Sequence, residues 1–243
     1  EYSVSGLGNA PTYFFHDAMQ NRTGATSLDE VFANANALYP SEVEALTEEG
    51  VLALDTRSIS EFAKGHIPGA LHTQLDGRFA PWVGTMIVPT QPIIVIADVG
   101  REEEAITRLA RVGYENTVGW LKGGMDAWVE AHGEVVEYTL VSPEEFLATT
   151  KQGEATPILD VRSSEEYTAS HPLGAINVPI TSLTARLGEV PKEPLWVLCG
   201  TGYRASIAAS LLQRSGWHEL RVVERGWNAC QAIGAQEVAH ATL

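Results

Sequence analysis

The feature that most narrows what this chain can fold into is that it repeats itself. The stretch VLALDTRSISEFAKGHIPGALH (residues 51–72) matches PILDVRSSEEYTASHPLGAIN (residues 157–177). Asp55 pairs with Asp160 at an offset of 105, and Arg57 with Arg162, His66 with His171 and Gly69 with Gly174 follow. Further on, Pro92 pairs with Pro194 and Gly113 with Gly216, and LKGGMDAW (121–128) matches VERGWNAC (223–230). A period near 100 residues is too long for one turn of a solenoid and long enough for a domain, so the chain is read as a duplicated domain. The copies are placed near Tyr39–Gly133 and Glu137–Leu243, joined by a linker over His132–Glu137.

Each copy alternates short apolar runs with helical patterns. In the second copy, Pro157–Leu159, Leu195–Leu198 and Leu220–Val223 are predicted strands. Continuous apolar runs of this length suit strands covered on both faces. After Cys199, Ala208, Leu211 and Leu212 fall on one helical face, with Gly216 as the stop; Ile106, Leu109 and Ala110 before Gly113 repeat the pattern. Alternating β and α elements imply an α/β fold, two domains each with a mainly parallel sheet flanked by helices. Residues 1–38 lie outside the duplication. They read as irregular chain plus a short helix, with Tyr13, Phe14 and Phe15 needing a surface to pack on.

A net charge of −15 argues against nucleic acid or an anionic membrane as partner. No apolar run reaches the roughly 20 residues that span a bilayer, and the first residues lack the basic and apolar regions of a signal peptide. Two cysteines are no disulfide framework and fit a reducing, cytoplasmic setting. Seven scattered histidines form no H-x-H-x-D-H metal motif.

One cysteine carries the chemical interest. In LWVLCGTGYRASIAASLL (195–212) the thiol of Cys199 stands where a strand gives way to a helix. Ligands in open α/β sheets bind at the carboxyl ends of strands, and the helix that follows starts with unpaired N–H groups. Gly200 and Gly202 let the backbone curl so that these groups turn toward the sulfur, with Thr201 and Tyr203 completing the loop. Arg204 adds a fixed positive charge one turn away. Such a cradle suits a thiolate nucleophile and covalent catalysis. Cys230, which replaces Trp128 of the other copy, has no such loop and is read as core packing. His66 and His171 recur in both copies, only one of which has a nucleophile, and are read as structural. From Cys199 to Arg204 the loop has six residues, C-x4-R, one fewer than the C-x5-R loop of cysteine phosphatases. The shorter ring suits a single sulfur atom better than a phosphoryl group.

The ordered set LDVR, SHPLGA, CGTGYR and VERGWNA, with LDTR, GHIPGA and LKGGMDAW in the first copy, resembles the tandem rhodaneses. That resemblance implies a sulfurtransferase. Cys199 would take a sulfane sulfur from thiosulfate or a low-molecular-weight persulfide and pass it to a thiophilic acceptor. Gly200 to Arg204 would be the cradle, and Asp160 and Arg162 the buried pair beneath it. In the first copy Ala97 falls opposite Cys199, with Asp98 or Ile96 there if the gap is shifted, so that copy is expected to be inactive; Arg101 aligns with Arg204, either binding an anion or standing as a solvated helix start. The lead segment GLGNAPTYFFHDAMQNRTG and LDGRFAPWVGT (75–85) resemble the C-terminal part of persulfide dioxygenase–rhodanese fusions. This implies a metallo-β-lactamase-type dioxygenase domain in cis or in trans, with the lead segment a candidate remnant of it. Iron would belong to that domain, and no cofactor to this chain. The competing readings are a non-catalytic interaction module and, more remotely, a phosphatase-like enzyme.

Overall fold

The computed structural model describes residues 26–132, 135–151, 156–192 and 194–235. Tyr13, Phe14 and Phe15, most of the lead segment and part of the linker lie outside them. The contacts divide the chain into two units, one of residues up to Thr56 together with Leu75–Gly133, the other of Arg57–Gln74 together with residues 134 onward.

In the first unit α1 (Leu28–Asn34) is followed by β1 (Asn36–Leu38), α2 (Pro40–Glu48) and β2 (Leu52–Asp55). The chain returns to this unit as α4 (Phe79–Met86), β4 (Ile93–Ile96), α5 (Glu102–Ala110), β5 (Thr117–Leu121) and α6 (Gly124–His132). The intervening segment carries α3 (Ile59–Lys64) and β3 (Leu71–His72) and belongs to the second unit. Within the first unit the strands run side by side as β1-β5-β4-β2, all parallel. Helix α1 starts from a capping box in which Ser27 and Glu30 satisfy each other's backbone N–H groups. Thr26, just before it, donates from its N–H and its hydroxyl to the Glu115 carboxylate at 2.9 and 2.6 Å.

The second unit continues with β6 (Thr139–Val141), α7 (Pro143–Lys151), β7 (Ile158–Asp160), α8 (Ser164–Ala169) and β8 (Ile176–Asn177). After two short 3-10 turns come β9 (Leu195–Leu198), α9 (Tyr203–Arg214), β10 (Leu220–Val223) and α10 (Gly226–Ala232). Its sheet runs β6-β10-β9-β7-β8, again all parallel. The order β6-β10-β9-β7 repeats β1-β5-β4-β2, so the duplication seen in the sequence is a duplication of topology. It reaches back to Asn36, because β1 holds the place of β6. The strands predicted over Leu195–Leu198 and Leu220–Val223 form over those residues, while the one predicted over Pro157–Leu159 forms one residue later. Every position of β9 is buried, as its unbroken apolar run requires when both faces are covered.

Helix α9 departs from the amphipathic reading. Its buried residues are Ala205, Ser206, Ile207, Ala208, Ala209, Ser210 and Leu212, which leave no broad polar face; Leu211 is only partly buried. The side that periodicity assigns to solvent is covered by residues 57–74. The small side chains permit this close approach, and two of them join a buried polar chain. The Tyr138 hydroxyl lies 2.7 Å from Ser206 Oγ, which lies 2.7 Å from His72 Nδ1, while His72 Nε2 lies 3.0 Å from the Arg57 carbonyl. A carbonyl only accepts, so Nε2 carries the proton, Nδ1 accepts from Ser206, and Ser206 accepts from Tyr138. The His72 N–H donates to Ser210 Oγ at 3.0 Å. His66 is also buried here, its ring stacked on Phe62 with centroids 3.7 Å apart and its Nε2 3.0 Å from Gln213 Oε1. Among the described residues no helix is long and apolar enough to cross a membrane.

Burial pushes His72 from its ordinary 6.5 down to about 4. Between these values the unfolded chain binds a proton that the folded chain refuses, so stability falls as pH falls from 6.5 toward 4 and is independent of His72 above 6.5. Urea unfolding of the wild type is expected to lose about 2 kcal/mol between pH 7 and pH 5 through this residue alone. In His72→Asn that increment is expected to be absent, whatever the variant's stability at pH 7.

Candidate functional site

The site is the turn between β9 and α9. Leu198 closes the strand, Cys199 follows it fully buried, and Gly202, at φ 92°, swings the chain into the helix. This curl brings the Gly202 N–H to 3.1 Å from Cys199 Sγ. It is the one hydrogen bond that the thiol receives among the described residues. The turn is fastened from outside by the start of α10. The Trp227 N–H donates to the Cys199 carbonyl at 2.7 Å and the Asn228 N–H to the Gly200 carbonyl at 3.1 Å. Such closeness is open only to glycine at position 226, since a Cβ there would stand 2.1 Å from the Cys199 oxygen.

Arg204 lies against the loop, with its Nη2 3.3 Å from where a Gly200 side chain would begin. Its guanidinium is held in bidentate fashion by Glu166 on α8, at 2.6 and 2.7 Å. The Arg204 guanidinium in turn holds the Glu166 carboxyl down to about 2. The pair therefore stays ionised in the folded chain to well below the ordinary carboxylate range, and its contribution to stability, full above 4.5, is lost as pH falls from 4.5 toward 2. Glu166 is 40% exposed, which moderates that contribution. The sequence reading placed Arg204 at the loop and did not find Glu166. The one trace of it is the S-x-x-E capping box with Ser163, which marks Glu166 as a third helical residue but not as an arginine's partner.

Asp160 and Arg162 form a buried ion pair at the end of β7. Arg162 Nε lies 3.0 and 2.9 Å from the two Asp160 oxygens, and its Nη2 also donates to the Ser170 carbonyl at 2.7 Å. Ser170 Oγ accepts from Trp227 Nε1 at 2.9 Å, which links this pair to the helix that fastens the loop. His171 is stacked on Tyr167 with centroids 3.8 Å apart, and its Nδ1 lies 2.8 Å from the Tyr167 carbonyl. The Tyr203 hydroxyl donates to the Gln74 carbonyl at 2.7 Å. Cys230 sits in an apolar cluster with Phe146, Trp196 and Trp227, and burial pushes its thiol up to about 11.

A pocket of about 330 Å³ opens beside the loop, lined by Thr201 and Gly202 together with Gln74 and Arg225 among others. Cys199 is not among the residues that line it, whereas Thr201 and Gly202 of its loop are. Among the described residues no group of three His, Cys, Asp or Glu side chains is placed to hold a metal.

The first copy shows what the same turn becomes without a thiol. Asp55 pairs with Ile96 as Asp160 pairs with Leu198, so Ala97 and not Asp98 or Ile96 occupies the position of Cys199. Arg101 donates to both oxygens of Asp76 at 3.1 and 2.8 Å and to Glu104 at 2.9 Å. Carboxylates of its own unit thus take up the guanidinium for which the sequence left anion binding open.

The family model of the rhodanese-like domain matches the chain twice, over residues 39–131 and 142–233. The putative sulfur carrier protein YrkF of Bacillus subtilis (strain 168) is 26% identical over 108 residues, 37% of this chain and 58% of YrkF. The uncharacterized protein YqhL of the same organism is 30% identical over 88 residues, 36% of this chain and 68% of YqhL. The chain thus spans little more than half of the first relative and two thirds of the second. Among solved structures, a thiosulfate sulfurtransferase of Pseudomonas aeruginosa is 19% identical with a TM-score of 0.37, covering 90% of this chain and 48% of that one. The Alr3790 protein from Anabaena sp. is 26% identical with a TM-score of 0.39, covering 42% of this chain and 83% of that one. With both copies matched and the two sheets sharing one strand order, the chain belongs to the rhodanese-like domain family.

Proposed function

We propose that the second copy is a sulfurtransferase in which Cys199 carries the sulfur. The observation that carries this reading is the Gly202 N–H at 3.1 Å from Cys199 Sγ, at the end of a strand and the start of a helix. A backbone N–H aimed at the sulfur from the start of a helix orients it as the nucleophile of a covalent transfer. In the first half-reaction the thiolate attacks the outer sulfur of thiosulfate or of a low-molecular-weight persulfide. The new S–S bond forms as the old one breaks, and sulfite or a thiolate leaves with the electron pair. In the second, an acceptor attacks the outer sulfur of the Cys199 persulfide and the electron pair returns to Sγ. The negative charge passes from Sγ to the added sulfur, where Arg204, close against Gly200, offsets it. Asp160 and Arg162 support the loop from below, and the Tyr203 hydroxyl fixes the first turn of α9. Ala97 has no atom that can hold a transferable sulfur, so the first copy takes no part in the covalent steps. A metallo-β-lactamase-type dioxygenase domain as partner, in cis or in trans, belongs to the same proposal.

A second reading has an observation in its favour. Cys199 is fully buried, which suits a module that binds without turnover. The two separate on the mass of the intact protein after incubation with thiosulfate. The wild type is expected to gain one sulfur atom and lose it to cyanide, and Cys199→Ser to gain none. A wild type that never gains mass would leave the binding module.

The fastening of the loop gives a companion prediction. Gly174→Ala meets nothing within 4 Å and bears only the left-handed backbone at φ 76°, expected to cost about 1 kcal/mol in urea unfolding. Gly226→Ala must also push against the Cys199 carbonyl and is expected to cost about 3 kcal/mol or more, with loss of sulfur loading.

A further inference from the structure

Among the described residues Arg225 is the one non-glycine with a positive φ, 54°. The first copy has Gly123 at this position, with φ 80°. The turn before the last helix therefore needs a left-handed residue in both copies. The first copy fills it with the residue that adopts it freely, and the second with one that does so under strain. Strain of this kind persists where the side chain has a task. The place to which it brings Arg225 is specific: with Thr201, Glu224, Ser58, Ser60 and Gln74 it lines the pocket that abuts the Cys199 loop. Its backbone N–H group is part of that packing, since a Cβ on Gly202 would stand 3.2 Å from the Arg225 nitrogen. The guanidinium is 66% exposed, and the Glu144 carboxylate, 60% exposed, stands 3.8 Å away, a loose contact that water and salt weaken.

We propose that Arg225 is a specificity-determining anchor that seats the carboxylate of an organic thiol, the acceptor of the sulfur held by Cys199. The inference rests on the sulfur-transfer reading for the role of the ligand, and on the pocket for its chemistry. A pocket of about 330 Å³ is of the size that holds small organic molecules and is generous for a single compact anion. Glu224 on the same rim disfavours a dianion and leaves room for one carboxylate on Arg225, with hydroxyls and the Gln74 amide for an uncharged polar body. The bidentate fork of arginine matches a carboxylate in a way that glycine cannot replace. The acceptor thiolate would attack the outer sulfur, leave as its own persulfide, and return the electron pair to Cys199 Sγ.

The test uses two pairs of probes, in each of which a carboxylate is set against a neutral alcohol on the same thioether or thiol chain. Methylthiopropionate and methylthioethanol cannot react, and their binding to the whole chain is followed by NMR titration. The wild type is expected to bind the carboxylate probe about tenfold more tightly, and Arg225→Gly to bind the two alike, with a melting temperature no lower than that of the wild type. Discharge of the thiosulfate-loaded wild type is expected to show a kcat/KM about tenfold higher for mercaptopropionate than for mercaptoethanol, a gap that Arg225→Gly removes. Equal binding of both probes by the wild type, or an undiminished preference in Arg225→Gly, overturns the proposal. If the carboxylate probe binds through Arg225 but Cys199 never loads, the anchor stands and the sulfur-transfer reading falls.

Discussion

Two backbone hydrogen bonds, from Trp227 to the Cys199 carbonyl and from Asn228 to the Gly200 carbonyl, hold the Cys199 turn in shape. A strand that ends in a small, glycine-rich turn has no intrinsic reason to curl one way. Fixing the Cys199 and Gly200 carbonyls to the start of another helix sets the path of the chain into the Thr201–Gly202 peptide, whose N–H reaches the sulfur. The constraint is steric as well as polar, because only a residue without a side chain fits where α10 meets Cys199. The geometry at the thiol is thus set by a residue 27 positions further along the chain, counting from Cys199 to Gly226. The strand order puts β10, which leads into α10, beside β9 and so allows it.

The two copies keep this scaffold and differ in what they hang on it. Both place an arginine at the start of the helix after the turn, and both give it a bidentate carboxylate, Glu166 for Arg204 and Asp76 for Arg101. The partner comes from a different part of the fold in each. Glu166 lies on the helix after β7, whereas its counterpart Glu61 pairs with Lys64. Shared backbone geometry with reassigned side-chain pairs accompanies the exchange of Cys199 for Ala97 between the copies.

Most of the fold was legible because it follows from periodicity and repetition. Short apolar runs between helical patterns gave the parallel sheets, and matching Asp55 with Asp160 gave the two copies. The site was legible where chemistry depends on neighbours in sequence, as from Cys199 to Arg204. What escaped depends on neighbours in space. Glu166 looks like any helix-capping glutamate until the fold sets it against Arg204. Gly226 is one of 22 glycines, and nothing local says that a carbonyl rests on it. Helix α9 reads as half-exposed, since no pattern within it announces that residues 57–74 cover its second side. Arg225 was visible as a mismatch with Gly123 in the aligned repeats, but its meaning needed the backbone angle.

The burial of α9 on both sides bears on how the protein can be divided. Its Ala and Ser residues are fitted to His72 and the chain around it, which the sequence counts with the first repeat. A fragment cut at the linker would strip that cover from the helix that begins beside the thiol, leaving Ser206 and Ser210 without the imidazole and amide they now meet. Eighteen residues of the first repeat, 57–74, are in this sense masonry: a wall of the other repeat's house.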